Sequence, residues 1–389
     1  MMEQISLNIS QKLLLAGMIL ACLGPYVGYF SFLCVALSVF SCKVEPREYM
    51  VLCIVSSILI LCAVHSLFVY SNFDLLSFIV ALVTFSILLL VSSSSLMLIS
   101  RKVIVVVSIT VPIAFVIAII QTLGLYPLEF RGNEVLGLMR FTFLFAEPSH
   151  YSLVLALCSL IAIISPTHPL IRCLLFVGLI LTWSLSGFCI FILGYIGYKF
   201  YTRGILKSFF ISMLLCVVLL YLWFFWLQNS TFWLASKIES IIDLYSGNNI
   251  GASSAMLRYN SIILGPYFLI RNISFGNEWV SLLGMGFGNV SEWVQNYYRL
   301  NYALPEITDA NNIISNVLIS NGLVGLICYF FACTHYAGFN LNKVFISIMM
   351  LVILSLFSGY AFGSFAVLTL LLTRIYILLV INDDNSIKH

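Results

Sequence analysis

Apolar runs fill the chain from end to end, and polar residues gather in short breaks between them. Runs of about 18 residues or more are long enough to cross a hydrocarbon core of roughly 30 Å as helices. In lipid every backbone amide and carbonyl needs an internal partner, which leaves only helices and closed barrels as spanning structures. A barrel would show alternating segments of about 10 residues. These runs are continuously apolar, so the pattern predicts an all-α fold: a polytopic transmembrane helix bundle of about twelve spans. The spans fall near residues 11–23, 27–41, 49–70, 75–98, 103–121, 149–165, 170–184, 186–202, 207–228, 312–336, 344–359 and 362–380. Residues 13–40 are apolar almost throughout, broken by Gly24, Pro25 and Gly28. They read equally as a tight helical pair or as one long kinked helix.

The connections divide the chain in three. Residues 1–228 form an N-terminal bundle of about nine spans, interrupted by a loop over 121–148. Residues 229–311 form one large loop, and residues 312–389 carry the last spans and a tail. Compact connections run to about 4–6 residues, so two loops of roughly 28 and 84 residues call for a function.

Positive charge orients the bundle. Lys43, Arg47, Arg101, Lys102, Arg172, Lys199, Arg203, Lys207 and Lys343 all fall on alternate connections. The positive-inside rule makes that side cytoplasmic. Both termini are then cytoplasmic, and both long loops are outside. Residues 1–12 are mixed polar and lack the pattern of a cleavable signal.

Composition agrees with this class. The 389 residues are 62% hydrophobic and 8% charged, with a mean hydropathy of +1.09, whereas soluble domains are about 25% charged. The net charge of +3 gives no reason to expect a nucleic-acid partner. All 11 cysteines lie in spans or beside cytoplasmic ends, and none has zinc-ligand spacing, so they read as packing residues rather than disulfides or a metal site.

Charge is rare enough that each outside group is a candidate. Arg131, Arg140, Arg258, Arg271 and Arg299 all lie on the side the positive-inside rule disfavours. A guanidinium grips phosphate or carboxylate in a fork, so several converging arginines would hold a pyrophosphate. Their alternative is pairing with a carboxylate or a lipid headgroup. Residues 140–150, Arg-Phe-Thr-Phe-Leu-Phe-Ala-Glu-Pro-Ser-His, bring Arg140, Glu147 and His150 to the start of an apolar span. Glu147, His150 and Asp309 are the candidate proton acceptors. Glu147 also suits an N-cap ahead of Pro148, and Asp309 a cap for the tenth span. Trp233, Trp279, Trp293, Tyr297 and Tyr298 suit a membrane interface or a sugar-stacking surface, with the interface favoured. Residues 262–270 are apolar but too short to span, and read as interfacial or re-entrant. Gly284-Met-Gly-Phe-Gly288 reads as a tight turn rather than a nucleotide fingerprint, because no strand precedes it. Asp74, Glu147 and Asp309 fall near helix ends, and the span middles read as nearly charge-free.

From Glu147-Pro148-Ser149-His150 onward the chain resembles the bacterial O-antigen polymerase (Wzy-type) family, within the wider polymerase and ligase superfamily. The recurring features are Arg140 upstream, Thr-Trp-Ser-Leu-Ser-Gly at 182–187 and Arg258 after Ser253-Ser254-Ala255. Gly284-Met-Gly-Phe-Gly288, Asp309-Ala-Asn-Asn312, Asn321-Gly322 and Gly325 follow in order. Relatives often carry an arginine where Leu185 stands and a histidine where Asn311 stands, and the missing histidine argues against the ligase. The resemblance implies an inner-membrane enzyme of a bacterium. It would join glycan repeat units carried on undecaprenyl pyrophosphate, on the periplasmic face, with no cofactor and no metal. Arg140, Arg258, Arg271 and Arg299 would bind the pyrophosphate. The implied partners are the lipid-linked donor and acceptor, membrane lipid and a chain-length regulator. The competing readings are the ligase and a lipid-oligosaccharide flippase.

Overall fold

The computed structural model describes residues 7–23, 27–41, 46–70, 73–123, 134–135, 138–139, 142–145, 148–203, 254–302, 307, 310–337 and 341–387. Its helices are α1 (Ile9–Cys22), α2 (Gly28–Phe40), α3 (Pro46–Tyr70), α4 (Leu75–Leu90), α5 (Ser93–Thr122), α6 (Pro148–Ile164), α7 (Pro169–Leu181) and α8 (Leu185–Arg203). After residues that lie outside this set come α9 (Ser254–Ser274), α10 (Glu278–Leu283), α11 (Val290–Tyr302), α12 (Ile313–Thr334), α13 (Leu341–Phe357) and α14 (Ser364–Ile387). The only strand pairing among the described residues is a minimal hairpin, Glu134–Val135 against Leu138–Met139. Four helices, within α3, α5, α12 and α14, are long and apolar enough to cross a membrane. This is a helical, membrane-embedded protein.

Local chemistry sets several boundaries. Asn8 and Gln11 close a capping box on α1, satisfying amides that the first helical turn cannot. His168 caps α7 ahead of Pro169, where a missing N–H costs nothing. Ser92 caps α5, which moves one expected boundary. The run 75–98 reads as one span, but the chain turns at Val91 and Ser92. Arg101 and Lys102 therefore lie inside α5 rather than in a connection. Serines 92–95 scarcely interrupt the apolar run, yet their hydroxyls can end one helix and start the next. The predicted span at 207–228 lies outside the described residues.

The opening stretch is a pair of helices. Ser31 Oγ donates to Gly17 O and Ser10 Oγ donates to Ser38 O, each at 2.8 Å. Those pairings run antiparallel. A Cβ on Gly17 would meet Ser31 O at 2.9 Å, so a missing side chain lets the two backbones touch.

One core joins the first and last thirds of the chain. Helix α6 runs through its middle and is buried on every side over residues 151–162. It packs against α7, α8 and α14. By contrast α3 turns a broad apolar face outward, as lipid contact requires. None of the nine described cysteines is in a disulfide.

Two features stand out in the span middles, which the sequence reads as nearly charge-free. Arg374 lies inside α14 and is buried. Its guanidinium donates to Leu88 O at 3.2 Å and Ser93 Oγ at 3.0 Å, and stands 4.5 Å over the Tyr336 ring. It thus ties the α4–α5 turn to α14, and burial is tolerated because the fork finds acceptors. Second, α12 is broken at Gly322, whose φ of 64° and ψ of −167° are not helical.

The 262–270 segment is not a separate short element. It is the middle of the 21-residue helix α9. Leu264 and Phe268, one turn apart, form a second core with Val280, Val294, Tyr298 and Ile319. Tyr297 and Tyr298 belong to that core rather than to an interfacial belt or a stacking surface. Where α9 crosses α12, the Ser315 hydroxyl accepts from Gly265 N at 3.0 Å and donates to Ser261 O at 2.5 Å. A side chain of one helix thereby completes a rung of the other.

Candidate functional site

The glycine-rich segment organises the loop end of the bundle. Helix α10 stops at Gly284, and the chain then runs extended along the break in α12. Met285 N donates to Ile319 O and Gly286 N to Ser320 O, both at 2.8 Å. Inside an unbroken helix those carbonyls would serve residues 323 and 324. The break at Gly322 frees them, and the segment takes them up. Ser66 Oγ of α3 donates to Met285 O at 2.9 Å. Asp74 N donates to Phe287 O at 3.0 Å. Gly284, Gly286 and Gly288 all have positive φ. The motif is the tight turn its sequence suggests, and its glycines also admit close neighbours. A Cβ on Gly286 would strike Ser66, and one on Gly288 would meet Asp74 N at 3.1 Å.

Above this segment lies a cavity of about 570 Å³. Its polar lining includes Asp74, Ser77, Ser291 and Asn316, and its aromatic walls include Tyr29, Phe287 and Tyr360. Asp74 is the N-cap of α4. Oδ1 accepts from Leu76 N at 3.0 Å and Ser77 N at 3.3 Å, and Oδ2 accepts from Ser77 Oγ at 2.6 Å. The Ser77 hydroxyl holds the carboxyl below its ordinary range; slight burial opposes this, and the two amides add to it. Asp74 is therefore a carboxylate at neutral pH.

A second cavity of about 360 Å³ adjoins the first, with Tyr29, Val80, Tyr360 and Phe362 lining both. It is more apolar, and His150 lines it. His150 sits in the first turn of α6. Its ring centroid lies 5.0 Å from Tyr360, edge-on, and 5.2 Å from Phe365.

A third space, a cleft of about 670 Å³, lies on the loop. Arg271 from the last turn of α9 and Arg299 from the last turn of α11 both line it, with Trp293, Asn272, Asn277 and Asn296. Arg299 Nη2 donates to Asn296 Oδ1 at 3.0 Å, and Arg271 lies 5.9 Å from the Phe275 ring. Trp293 stacks on Tyr297 with centroids 5.9 Å apart. No carboxylate lines the cleft among the described residues. Two guanidiniums with amide donors, and no lining carboxylate among the described residues, are the chemistry that an anion would need.

The structure thus brings Arg271 and Arg299 together and puts His150 in a separate cavity. Arg258 lies on α9, while Arg140, Glu147 and Asp309 lie outside the described residues, as do Arg131 and Trp233. Asn312 rather than Asp309 caps α12, accepting from Ser315 N at 3.0 Å. The 182–187 motif is a turn that leads into the first residues of α8: Trp183 has φ 48°, and a Cβ on Gly187 would meet Ser152 Oγ at 2.8 Å. It packs α8 on α6. Among the described residues, no group of three or more His, Cys, Asp or Glu side chains gathers as a metal site would need.

Sequence reasoning passed over Asp74 as a site residue and Arg374 altogether. The signal for Arg374 was present, an ionisable residue in an apolar run. Asp74 had only its helix-end position to mark it. No protein-family model matches the chain, and no curated protein sequence matches it. The fold defines a class, a helical membrane-embedded protein, and it carries two adjoining cavities and a cleft lined by Arg271 and Arg299.

Proposed function

We propose that this chain polymerises oligosaccharide repeat units carried on undecaprenyl pyrophosphate, building a surface polysaccharide such as O-antigen or capsule. The carrying observation is the cleft that Arg271 and Arg299 both line, with no lining carboxylate among the described residues. In this reading about twelve spans cross the inner membrane of a bacterium. Both termini are cytoplasmic, and the cleft and cavities open on the periplasmic side.

The chemistry asks little beyond placement and charge. An acceptor hydroxyl loses its proton to a base, its oxygen bonds to the donor's anomeric carbon, and that carbon's bond to the phosphate oxygen breaks. Undecaprenyl pyrophosphate leaves with the electron pair. Fixed guanidiniums stabilise the charge it gains, a role for Arg271 and Arg299, with Arg140 and Arg258 as further candidates. Glu147, His150 and Asp309 are the candidate bases. His150 has the aromatic, partly dry surroundings that shield a proton transfer from water.

One observation favours a second reading. A broken helix within an apolar span is common where transporters bind cargo, and α12 is broken at Gly322. A lipid-oligosaccharide flippase is that alternative. Against it, the freed carbonyls of Ile319 and Ser320 are already taken by Met285 and Gly286.

Polysaccharide gels from a deletion strain decide between them. A polymerase deletion leaves a single repeat unit on the lipid core; the intact gene restores the ladder, and Glu147→Gln does not. An intact ladder in the deletion, or loss of even the single-unit band, overturns the polymerase reading in favour of the ligase or flippase.

A further inference from the structure

We infer that the Asp74 cavity binds an uncharged, hydroxyl-rich sugar ring, and that it is a different site from the anion cleft formed by Arg271 and Arg299. This rests on the polymerase reading and assigns the glycan, as distinct from its phosphates, to a place of its own.

The lining selects for this ligand. At about 570 Å³ the cavity is of ligand-pocket size. Asp74 is its one charged side chain among the described residues, so phosphate is repelled. A strong cation site is equally disfavoured. The carboxylate already accepts from Leu76 N, Ser77 N and Ser77 Oγ, and the positive end of α4 compensates its charge. What remains is acceptor capacity on Oδ2. Neutral O–H donors fit that remainder. Ser291 and Asn316 add donors and acceptors, and the rings of Tyr29 and Tyr360 offer flat walls to the C–H face of a pyranose. The low proton affinity of Asp74 keeps it an acceptor at neutral pH and makes it a poor base, so it positions a sugar rather than taking its proton.

The placement suits the reaction. Tyr29 and Tyr360 also wall the cavity that holds His150, so a sugar in the Asp74 cavity lies next to a candidate base. The cavity is also complete only when the loop is docked, because Phe287 and Gly288 line it and Phe287 O is held by Asp74 N.

The test uses the full chain in lipid nanodiscs with two probes. One is the oligosaccharide released by mild acid from the carrier lipid that accumulates in the deletion strain. The other is inorganic pyrophosphate. Saturation-transfer NMR reads the sugar and calorimetry reads the pyrophosphate. Asp74→Asn preserves the cap, since asparagine caps as well as aspartate, while replacing the free acceptor by a donor. Tyr29→Ala removes a ring that is 76% exposed, so folding is little affected. We expect both variants to bind the oligosaccharide at least fivefold more weakly than wild type and to bind pyrophosphate unchanged. Arg271→Gln with Arg299→Gln should show the converse. Unchanged sugar binding in Asp74→Asn and Tyr29→Ala, or no transfer to the sugar with wild type, overturns the assignment. If the deletion strain accumulates no lipid-linked repeat unit, the polymerase reading has failed and the assignment falls with it. If the unit accumulates and only the variants behave as wild type, the assignment alone is lost.

Discussion

Gly284 and Gly322 meet across the junction of loop and helix with no room for a side chain on either. A Cβ on Gly322 would come within 2.6 Å of Gly284 N, and one on Gly284 within 2.5 Å of Asn321 N. Their backbones, at φ 79°, ψ −179° and φ 64°, ψ −167°, occupy a region essentially reserved for glycine. Each missing side chain is therefore a condition of the other's position.

Alanine at either site should destabilise the protein by about 3 kcal/mol, combining backbone strain with the clash. Gly276→Ala is the control. It also has positive φ, 74°, but nothing lies within 4 Å of its Cβ, so strain alone should cost about 1 kcal/mol. Thermal unfolding followed by fluorescence-detected size exclusion separates the two. Equal losses at Gly276 and Gly322 would mean the docking contact contributes nothing.

Arg374→Met should lower stability by roughly 3 kcal/mol, since Leu88 O and Ser93 Oγ lose a charged donor. Arg374→Lys should fall between, keeping charge but losing the planar fork and its place over Tyr336. The same unfolding assay reads both. A methionine variant as stable as wild type would show that the cost of burying the guanidinium cancels its bonds.

Asp74 gives a pH signature. Its folded-state pKa is lowered, chiefly by the Ser77 hydroxyl. A lowered acid binds fewer protons folded than unfolded, so its contribution is present above the unfolded value of about 3.9 and fades as pH falls through the folded value. Asp74→Asn should flatten that part of the stability curve between about pH 5 and pH 3 while leaving the cap intact. Asp74→Ala should lose about 1 kcal/mol at neutral pH as well. An acid limb identical in wild type and Asp74→Asn would count against the capping bonds described.

His150 separates packing from chemistry. Phenylalanine there keeps a ring beside Tyr360 and Phe365, so stability should change by less than about 1 kcal/mol. If His150 is the base, ladder formation should drop at least about 100-fold. A His150→Phe strain with a normal ladder removes His150 from the candidates and leaves Glu147 and Asp309.

Much of the helical framework was legible because apolar length is a local property. Runs such as 149–165 and 170–184 need no knowledge of the rest of the chain to be read as helices, and their ends lie within about three residues of those of α6 and α7. What failed to show was non-local. Helix α9 carries Arg258, Asn260, Arg271 and Asn272 among its apolar residues, so only its apolar middle stood out. The polar positions are accommodated because α9 packs on α12 rather than facing lipid all round. Tyr297 and Tyr298 resemble interfacial residues by type, and only the second core shows them buried. For the site, the sequence marked Arg271 and Arg299 as unusual but not as neighbours, since α9 and α11 are brought together by that core and by the Tyr302 hydroxyl donating to Asn260 Oδ1. The glycine motif was readable as a turn, while its partners Ser66, Asp74 and Ser320 lie far away in the chain. Arg140, Glu147 and Asp309 lie outside the described residues and remain expectations of the sequence.

The break in α12 also bears on how the chain enters a membrane. A span inserted on its own can satisfy nearly all its backbone groups, but this one reaches lipid with the carbonyls of Ile319 and Ser320 released from its own ladder. Their partners, the amides of Met285 and Gly286, are made earlier and belong to the loop. In the folded chain the broken form of α12 and the loop segment therefore complete one another's backbone pairing, so the break in the helix depends on the docked loop.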